Sequence, residues 1–199
     1  LYITEVKTGD HQFTTIMEDY DFDHEIVGNI EDTIYLETNY KAQNWRLVKF
    51  SYDKPNPENW KDVIPESEYP LNSVSITGGK LLVKYSKDVS SHLYVYSLDG
   101  ELETEVELPT IGTASGFGGK QNDNEVFYNF TSFAYPPTIF RYDIEANTST
   151  LYRKSKVEVD FSLYETKQVF YSSKDGTKIP MFITHKKGLQ YDGIAPTLL

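Results

Sequence analysis

Short runs of apolar residues recur at even spacing along the chain. Three of them have similar sequences and begin at Leu47, Leu93 and Ile139, so their starts lie 46 residues apart in both intervals. Around them lie other short runs rich in aromatic and β-branched residues, a composition that favours strands over helices. We expect these further strands at Thr33–Glu37, Trp60–Ile64, Val74–Ile76, Lys80–Tyr85, Leu102–Leu108, Ala114–Phe117, Glu125–Phe130 and Thr150–Tyr152.

The spacing indicates a unit of four short strands in about 45 residues, which is typical of the blades of a β-propeller. A blade is a small twisted antiparallel sheet that buries both faces only when other sheets stack on it. We therefore predict an all-β chain built from several four-stranded antiparallel blades, and a β-sandwich with coincidental spacing is the alternative. Residues 1–27 are expected to be the tail of an earlier blade, with a hairpin turn at Thr8-Gly9-Asp10.

The repeat fades after Ser155, where a different pattern begins. Two strands are predicted at Tyr164–Tyr171 and Lys178–His185, joined by a turn at Asp175-Gly176. An Asp-Gly pair between two apolar runs is a strong hairpin signal, because both residues tolerate a positive φ angle. We therefore predict two domains, namely residues 1–156 and residues 157–199.

Composition narrows the classes of function. The 199 residues carry a net charge of −11, include 16 tyrosines and 11 phenylalanines, and contain no cysteine. An acidic chain with scattered Lys and Arg argues against nucleic-acid binding, because phosphate groups need clustered cationic side chains. No apolar run approaches the roughly 20 residues that span a bilayer. Disulfides and thiolate metal sites are excluded. A soluble protein is expected, and cytoplasm and periplasm both stay open as compartments.

One acidic segment resembles a calcium-binding loop in part. Its carboxylates alternate with other residues, which would place them on one face of a strand. An EF-hand loop needs Gly at its sixth position and Glu at its twelfth, but the residues there are His24 and Ile30. A solvated strand face is therefore the favoured interpretation. The four carboxylates are Asp19, Asp21, Asp23 and Glu25.

Two other segments resemble ligand-binding or catalytic motifs only in part. Gly116–Gly119 is rich in glycine, but a phosphate-binding loop precedes a helix, whereas here the strand Val126–Phe130 follows, so we expect a hairpin turn. The spacing of glycines around Ser115 differs from that of a Gly-x-Ser-x-Gly nucleophile elbow. No metal or cofactor site is predicted, because no two histidines have the spacing of a metal-ligand pair. The four histidines are His11, His24, His92 and His185.

Two stretches, Asn124–Phe133 and Phe170–Gly188, resemble the prolyl oligopeptidase family, and the second is nearer to that family than to its relative, oligopeptidase B. Members of the family carry a seven-bladed propeller stacked on an α/β-hydrolase domain. They cleave short peptides after proline with a Ser-Asp-His triad, and the propeller limits the size of the substrate. The resemblance implies that this chain holds the later blades and the first strands of the α/β-hydrolase domain.

The resemblance assigns no catalytic and no substrate-binding residue to this chain. The family's nucleophile, aspartate and histidine would follow Leu199, and the residues that line its proline site would precede Leu1. It does imply a structural role for Thr131, Ser132 and Phe133, which we expect near the contact between propeller and hydrolase domain. Ordinary strand-end packing is the alternative for these three residues. The implied partners are short proline-containing peptides, the chain's own hydrolase domain and the upstream blades, without cofactor, nucleic acid or membrane.

Three functions stay open at this point. The first is a truncated serine peptidase of the prolyl oligopeptidase type, inactive as given. The second is a stand-alone propeller scaffold that binds peptides or proteins. The third is an enzyme like oligopeptidase B, which cleaves after basic residues. A downstream nucleophile elbow followed by Asp and His would favour an enzyme, and an early stop would favour the scaffold.

Overall fold

The computed structural model describes residues 1–4, 13–18 and 20–198, and their regular structure is almost entirely β. Strands β1 (Tyr2–Ile3) and β2 (Thr14–Thr15) form a short pair. The first four-stranded sheet contains β3 (His24–Ile30), β4 (Thr33–Thr38), β5 (Arg46–Ser51) and β6 (Lys61–Ile64). The second contains β7 (Leu71–Thr77), β8 (Lys80–Lys87), β9 (Ser90–Ser97) and β10 (Leu102–Val106). The third contains β11 (Thr113–Ser115), β12 (Glu125–Ser132), β13 (Tyr135–Asp143) and β14 (Thr148–Lys154).

The topology is that of consecutive propeller blades. In each four-stranded sheet, every strand pairs antiparallel with the strand that follows it in the chain. The first strands of the first two sheets, β3 and β7, also contact each other. Such contacts are expected where the innermost strands of neighbouring blades surround a common axis. The prediction of an all-β chain with several four-stranded antiparallel blades is confirmed.

The first strand of the first sheet is absent from the strands that the sequence predicts. Strand β3 covers His24–Ile30, so residues 24–27 belong to the first complete blade, and assigning them to an earlier blade is wrong. Acidic residues run into the start of this strand, and its register with β4 shifts between Ile26 and Gly28. A register shift interrupts the two-residue alternation by which a strand is recognised.

The core lies between the faces of neighbouring sheets. One buried cluster joins the second sheet to the third, and a second cluster joins the first sheet to the second. Leu93 of β9 and Phe130 of β12 are fully buried in the first of these clusters, and Tyr142 is almost so. Aromatic residues suit this position, because alternate side chains on a strand point into the same space between sheets.

A separate hairpin follows the third sheet. It consists of β15 (Tyr164–Ser172) and β16 (Lys178–Lys186), which pair in register from Tyr164 opposite Lys186 to Ser172 opposite Lys178. In the turn, the backbone N–H of Thr177 donates to Asp175 Oδ1 at 3.0 Å, and Gly176 has a φ of 88°. The predicted strand pair around Asp175-Gly176 is therefore present.

The acidic segment before β3 does not form the predicted strand face. Asp21 lies in a bend, and Asp23 lies just before the strand, where its N–H donates to Asn39 Oδ1 at 2.7 Å. Only Glu25 lies on β3. Asp19 and the predicted turn at Thr8-Gly9-Asp10 lie outside the described residues, as does His11.

Helical structure in the described ranges is limited to two short 3-10 turns, Pro57–Asn59 and Phe161–Leu163. No helix in these ranges has the length and apolar character that crossing a bilayer requires. The glycine-rich connection from β11 to β12 joins two paired strands, as a hairpin should, but it is a longer loop at residues 116–124. Gly119 of this loop packs on the neighbouring sheet, where its N–H donates to Thr77 Oγ1 at 3.1 Å.

Candidate functional site

The hairpin β15–β16 lies against two turns of the propeller sheets. Each turn connects the second strand of a sheet to the third strand. In the second sheet this turn is Asp88-Val89, between β8 and β9, and in the third sheet it is Phe133-Ala134, between β12 and β13. Both turns contact the hairpin through a hydrogen bond or an aromatic pair.

Phe133 makes the aromatic contact. Its side chain is 69% exposed, and its ring centroid lies 5.6 Å from that of Phe182 on β16, with the rings inclined at 42°. Thr131 and Ser132 end β12 directly before it. Together with Phe182, these three residues line a surface cavity of about 370 Å³. The three residues singled out in the sequence are thus next to the hairpin.

The Asp88-Val89 turn makes the polar contact. The side-chain Nε2 of Gln168 on β15 donates to the backbone carbonyl of Asp88 at 2.6 Å. Val89 lines the same cavity as Phe133 and Phe182. Sequence reasoning missed this turn, because two-residue hairpin turns are recognised by Asn-Gly or Asp-Gly, and Asp88 is followed by valine.

Asp88 and Val89 have φ angles of 48° and 64°. Left-handed backbone is disfavoured for a β-branched residue by about 1–2 kcal/mol, since Cβ approaches the following carbonyl oxygen. Val89 is nevertheless 66% exposed to solvent. Its side chain is therefore not buried in a core of the described residues, and core packing does not offset the strain. The turn that contacts the hairpin therefore contains a strained residue directly after Asp88.

A buried carboxyl joins the first two sheets. Glu37 on β4 is only 4% exposed, and its Oε1 accepts a hydrogen bond from the backbone N–H of Val74 on β7 at 2.6 Å. Burial raises the pKa of Glu37 to about 7, partly opposed by the Val74 hydrogen bond and assisted by repulsion from Glu25. A buried acid titrating near neutrality makes this contact between blades sensitive to pH.

Neither His185 nor Ser115 forms a serine–histidine pair within the described residues. His185 on β16 is nearly buried; its Nδ1 donates to the Lys186 carbonyl at 2.9 Å, and its Nε2 accepts from the Tyr191 hydroxyl at 2.7 Å. Ser115 ends β11 and has no histidine partner among the described residues. In the same described part of the chain, no three His, Asp or Glu side chains are grouped to hold a metal ion.

Comparisons with known proteins add a family and several relatives. Residues 1–155 match the family described as "Prolyl oligopeptidase, N-terminal beta-propeller domain". Two relatives named prolyl endopeptidase, from Elizabethkingia miricola and Elizabethkingia meningoseptica, are 42% and 41% identical over this whole chain. The chain spans 28% of the length of each of these relatives.

Solved structures agree in fold. A chain from a structural and mechanistic study of two prolyl endopeptidases, on inter-domain dynamics in catalysis and specificity, superposes with a TM-score of 0.83 at 35% identity. That match covers 92% of this chain and 27% of the other. Prolyl oligopeptidase B from Galerina marginata, bound to a 35mer hydrolysis and macrocyclization substrate, superposes with a TM-score of 0.85 at 30% identity. That match covers 96% of this chain and 28% of the Galerina marginata chain.

Proposed function

Because the chain belongs to the family of prolyl oligopeptidase N-terminal β-propeller domains, we propose that it is part of a serine-type peptidase that cleaves short peptides after proline. The proposal rests on the match of residues 1–155 to this family. Relatives named prolyl endopeptidase, similar over the whole length of the chain, support it.

The proposed division of the chain is a propeller part at residues 1–156 and the start of an α/β-hydrolase domain at residues 157–199. Two observations support this boundary. The last strand of the third sheet ends at Lys154, and the family match ends at residue 155. The hairpin that follows pairs only with itself among the described strands. A strand pair outside the repeated sheets is suited to begin a second domain.

The propeller part is proposed to act as a size-selecting gate. Its sheets are packed face to face through continuous buried clusters. Interiors packed at protein density leave no path between sheets for a folded substrate. A short peptide needs only a narrow opening, along the shared axis or beside the hairpin. Exclusion would therefore be geometric, without a recognition site for each rejected protein.

Thr131, Ser132 and Phe133 are proposed to lie at the contact between propeller and hydrolase domain. The ring pair of Phe133 and Phe182 supports this role, since the two residues lie on opposite sides of the proposed boundary. Phe133 is also exposed at a turn, where an aromatic side chain contributes contact area to a neighbouring domain.

The catalytic residues are proposed to lie in the portion of the peptidase that this chain does not span. There a serine would attack the peptide carbonyl, a histidine would take the proton of the serine, and an aspartate would orient the histidine. The geometry around His185 supports this assignment, because its two ring nitrogens bond to the Lys186 carbonyl and the Tyr191 hydroxyl and not to a serine of the described residues. The 199-residue chain is therefore expected to be inactive alone.

The test uses the full-length protein and one peptide in two forms. A short proline-containing peptide is supplied free, and the same sequence is displayed in a loop of a folded carrier protein. We expect hydrolysis after proline in the free peptide only. Equal hydrolysis of both forms would contradict the gate. A preference for an arginyl over a prolyl reporter peptide would favour an enzyme like oligopeptidase B, and no hydrolysis at all would favour a binding scaffold. Hydrolysis by the 199-residue chain alone would overturn the assignment of the triad to another portion.

A further inference from the structure

Hairpin β15–β16 is joined to the propeller sheets by side chains at two separate points. One is the hydrogen bond from Gln168 Nε2 to the Asp88 carbonyl, and the other is the ring pair of Phe133 and Phe182. Each point involves a different sheet. Among the described strands, β15 and β16 have no extensive contact with a strand of the sheets. Two separated points restrain rotation as well as distance, which one point cannot do.

Val89 follows Asp88 in the turn of the second sheet. It lines a cavity together with three further apolar residues, which are Ile111, Phe133 and Phe182. Its φ of 64° is unfavourable for valine, and glycine would relieve the strain. Strain held at an exposed position suggests that the valine side chain serves a contact outside its own sheet.

We propose that Asp88, Val89 and Phe133 on the sheets, with Gln168 and Phe182 on the hairpin, form a latch that holds hairpin and propeller in the closed arrangement. The inference deepens the proposed function, because it rests on the hairpin being the start of the second domain. The Asp88-Val89 turn is the new element, and it acts by positioning the hairpin. Neither it nor Gln168 takes part in chemistry.

The strength of the latch is set by weak, separable contacts. An ordinary hydrogen bond to a neutral backbone carbonyl changes an equilibrium by about fivefold. An aromatic pair contributes a change of similar size. Loss of either point should therefore increase the open population measurably without unfolding the sheets.

The test measures the distance between hairpin and propeller in single molecules. These 199 residues contain no cysteine, so Lys174→Cys in the hairpin turn and Lys120→Cys in the loop between β11 and β12 can carry a donor and an acceptor dye. Both lysines are exposed. Single-molecule energy transfer works at high dilution, where association between copies is negligible, and it requires no peptidase activity. Failure of the peptidase proposal would therefore leave this test unaffected.

Three variants are compared in this background. Gln168→Ala should increase the open population about fivefold, the change that one ordinary hydrogen bond produces. Gln190→Ala is the matched control, since Gln190 is an exposed glutamine of the same part of the chain with no hydrogen bond to the described residues. Val89→Gly should also increase the open population, while the melting temperature stays the same or rises because the turn loses its strain.

The Val89→Gly result separates a latch from a purely structural turn. A structural role predicts that relief of strain leaves the hairpin unchanged or more firmly held. Unchanged energy transfer in both Gln168→Ala and Val89→Gly would overturn the inference. An equal change in Gln190→Ala would do so as well, because it would show that the hairpin responds to any loss of an amide side chain.

Discussion

Replacing Glu37 by glutamine should remove a pH dependence from the stability of the packed sheets. The variant keeps the side-chain oxygen that accepts from Val74 N–H, so the contact between the first two sheets is preserved. It cannot ionise. In the unfolded chain the carboxyl titrates near 4.5, and burial raises its pKa to about 7 in the folded protein. The folded state therefore binds this proton more tightly than the unfolded state.

The direction follows from this raised pKa. The full stability contribution of the protonated Glu37 is present below about pH 4.5 and is lost as pH rises through about 7. The separation of the two pKa values corresponds to roughly 3 kcal/mol of unfolding free energy. In a domain of this size, a destabilisation of 1 kcal/mol lowers the melting temperature by about 2–4 °C. Wild type should thus lose on the order of 6–12 °C relative to Glu37→Gln between pH 4.5 and pH 8.5.

The assay is thermal unfolding followed by circular dichroism at closely spaced pH values. The difference in melting temperature between the two proteins is the quantity of interest, because the other titrating groups contribute equally to both. Glu101→Gln serves as control, since Glu101 is an exposed carboxylate whose replacement leaves the contact between Glu37 and Val74 in place. A constant difference for Glu37→Gln would refute the reasoning, because it would mean that the buried carboxyl does not titrate in this window.

Three further outcomes test other parts of the structure. Gly100→Ala should destabilise the protein by about 2 kcal/mol or more in urea denaturation, because the added Cβ would lie 1.9 Å from the Val63 carbonyl oxygen at a φ of 88°; an unchanged midpoint would contradict this. The isolated chain should self-associate through its exposed sheet faces, where Phe127 and Tyr152 are 39% and 63% exposed, and a monodisperse monomer in light scattering would count against it. Phe133→Ala in the full-length protein should alter peptide hydrolysis or domain opening, and unchanged kinetics and stability would remove its proposed contact role.

The fold was predictable because it depends on a local pattern that repeats. Apolar strand segments, turn residues between them and the even spacing of Leu47, Leu93 and Ile139 recur in each sheet, so an error in one strand does not hide the others. Strand β3 was missed for the opposite reason. It is acidic near its start, and a register shift interrupts its alternation.

The candidate contact was predictable only in part. Thr131, Ser132 and Phe133 could be singled out from a resemblance and from their place at the end of a strand. The Asp88-Val89 turn could not, since its residues match no common turn signature. Its place beside Gln168, 80 residues later, exists only once the sheets have stacked.

Most of the strands, their order and the change of pattern after Ser155 could be predicted from local sequence, because backbone alternation and turn chemistry act over a few residues. The contact of the Asp88-Val89 turn with the hairpin and the burial of Glu37 against Val74 are seen only in the tertiary structure. Contacts of this kind, and the pKa that follows from burial, depend on how whole sheets pack. No short stretch of the chain contains that information.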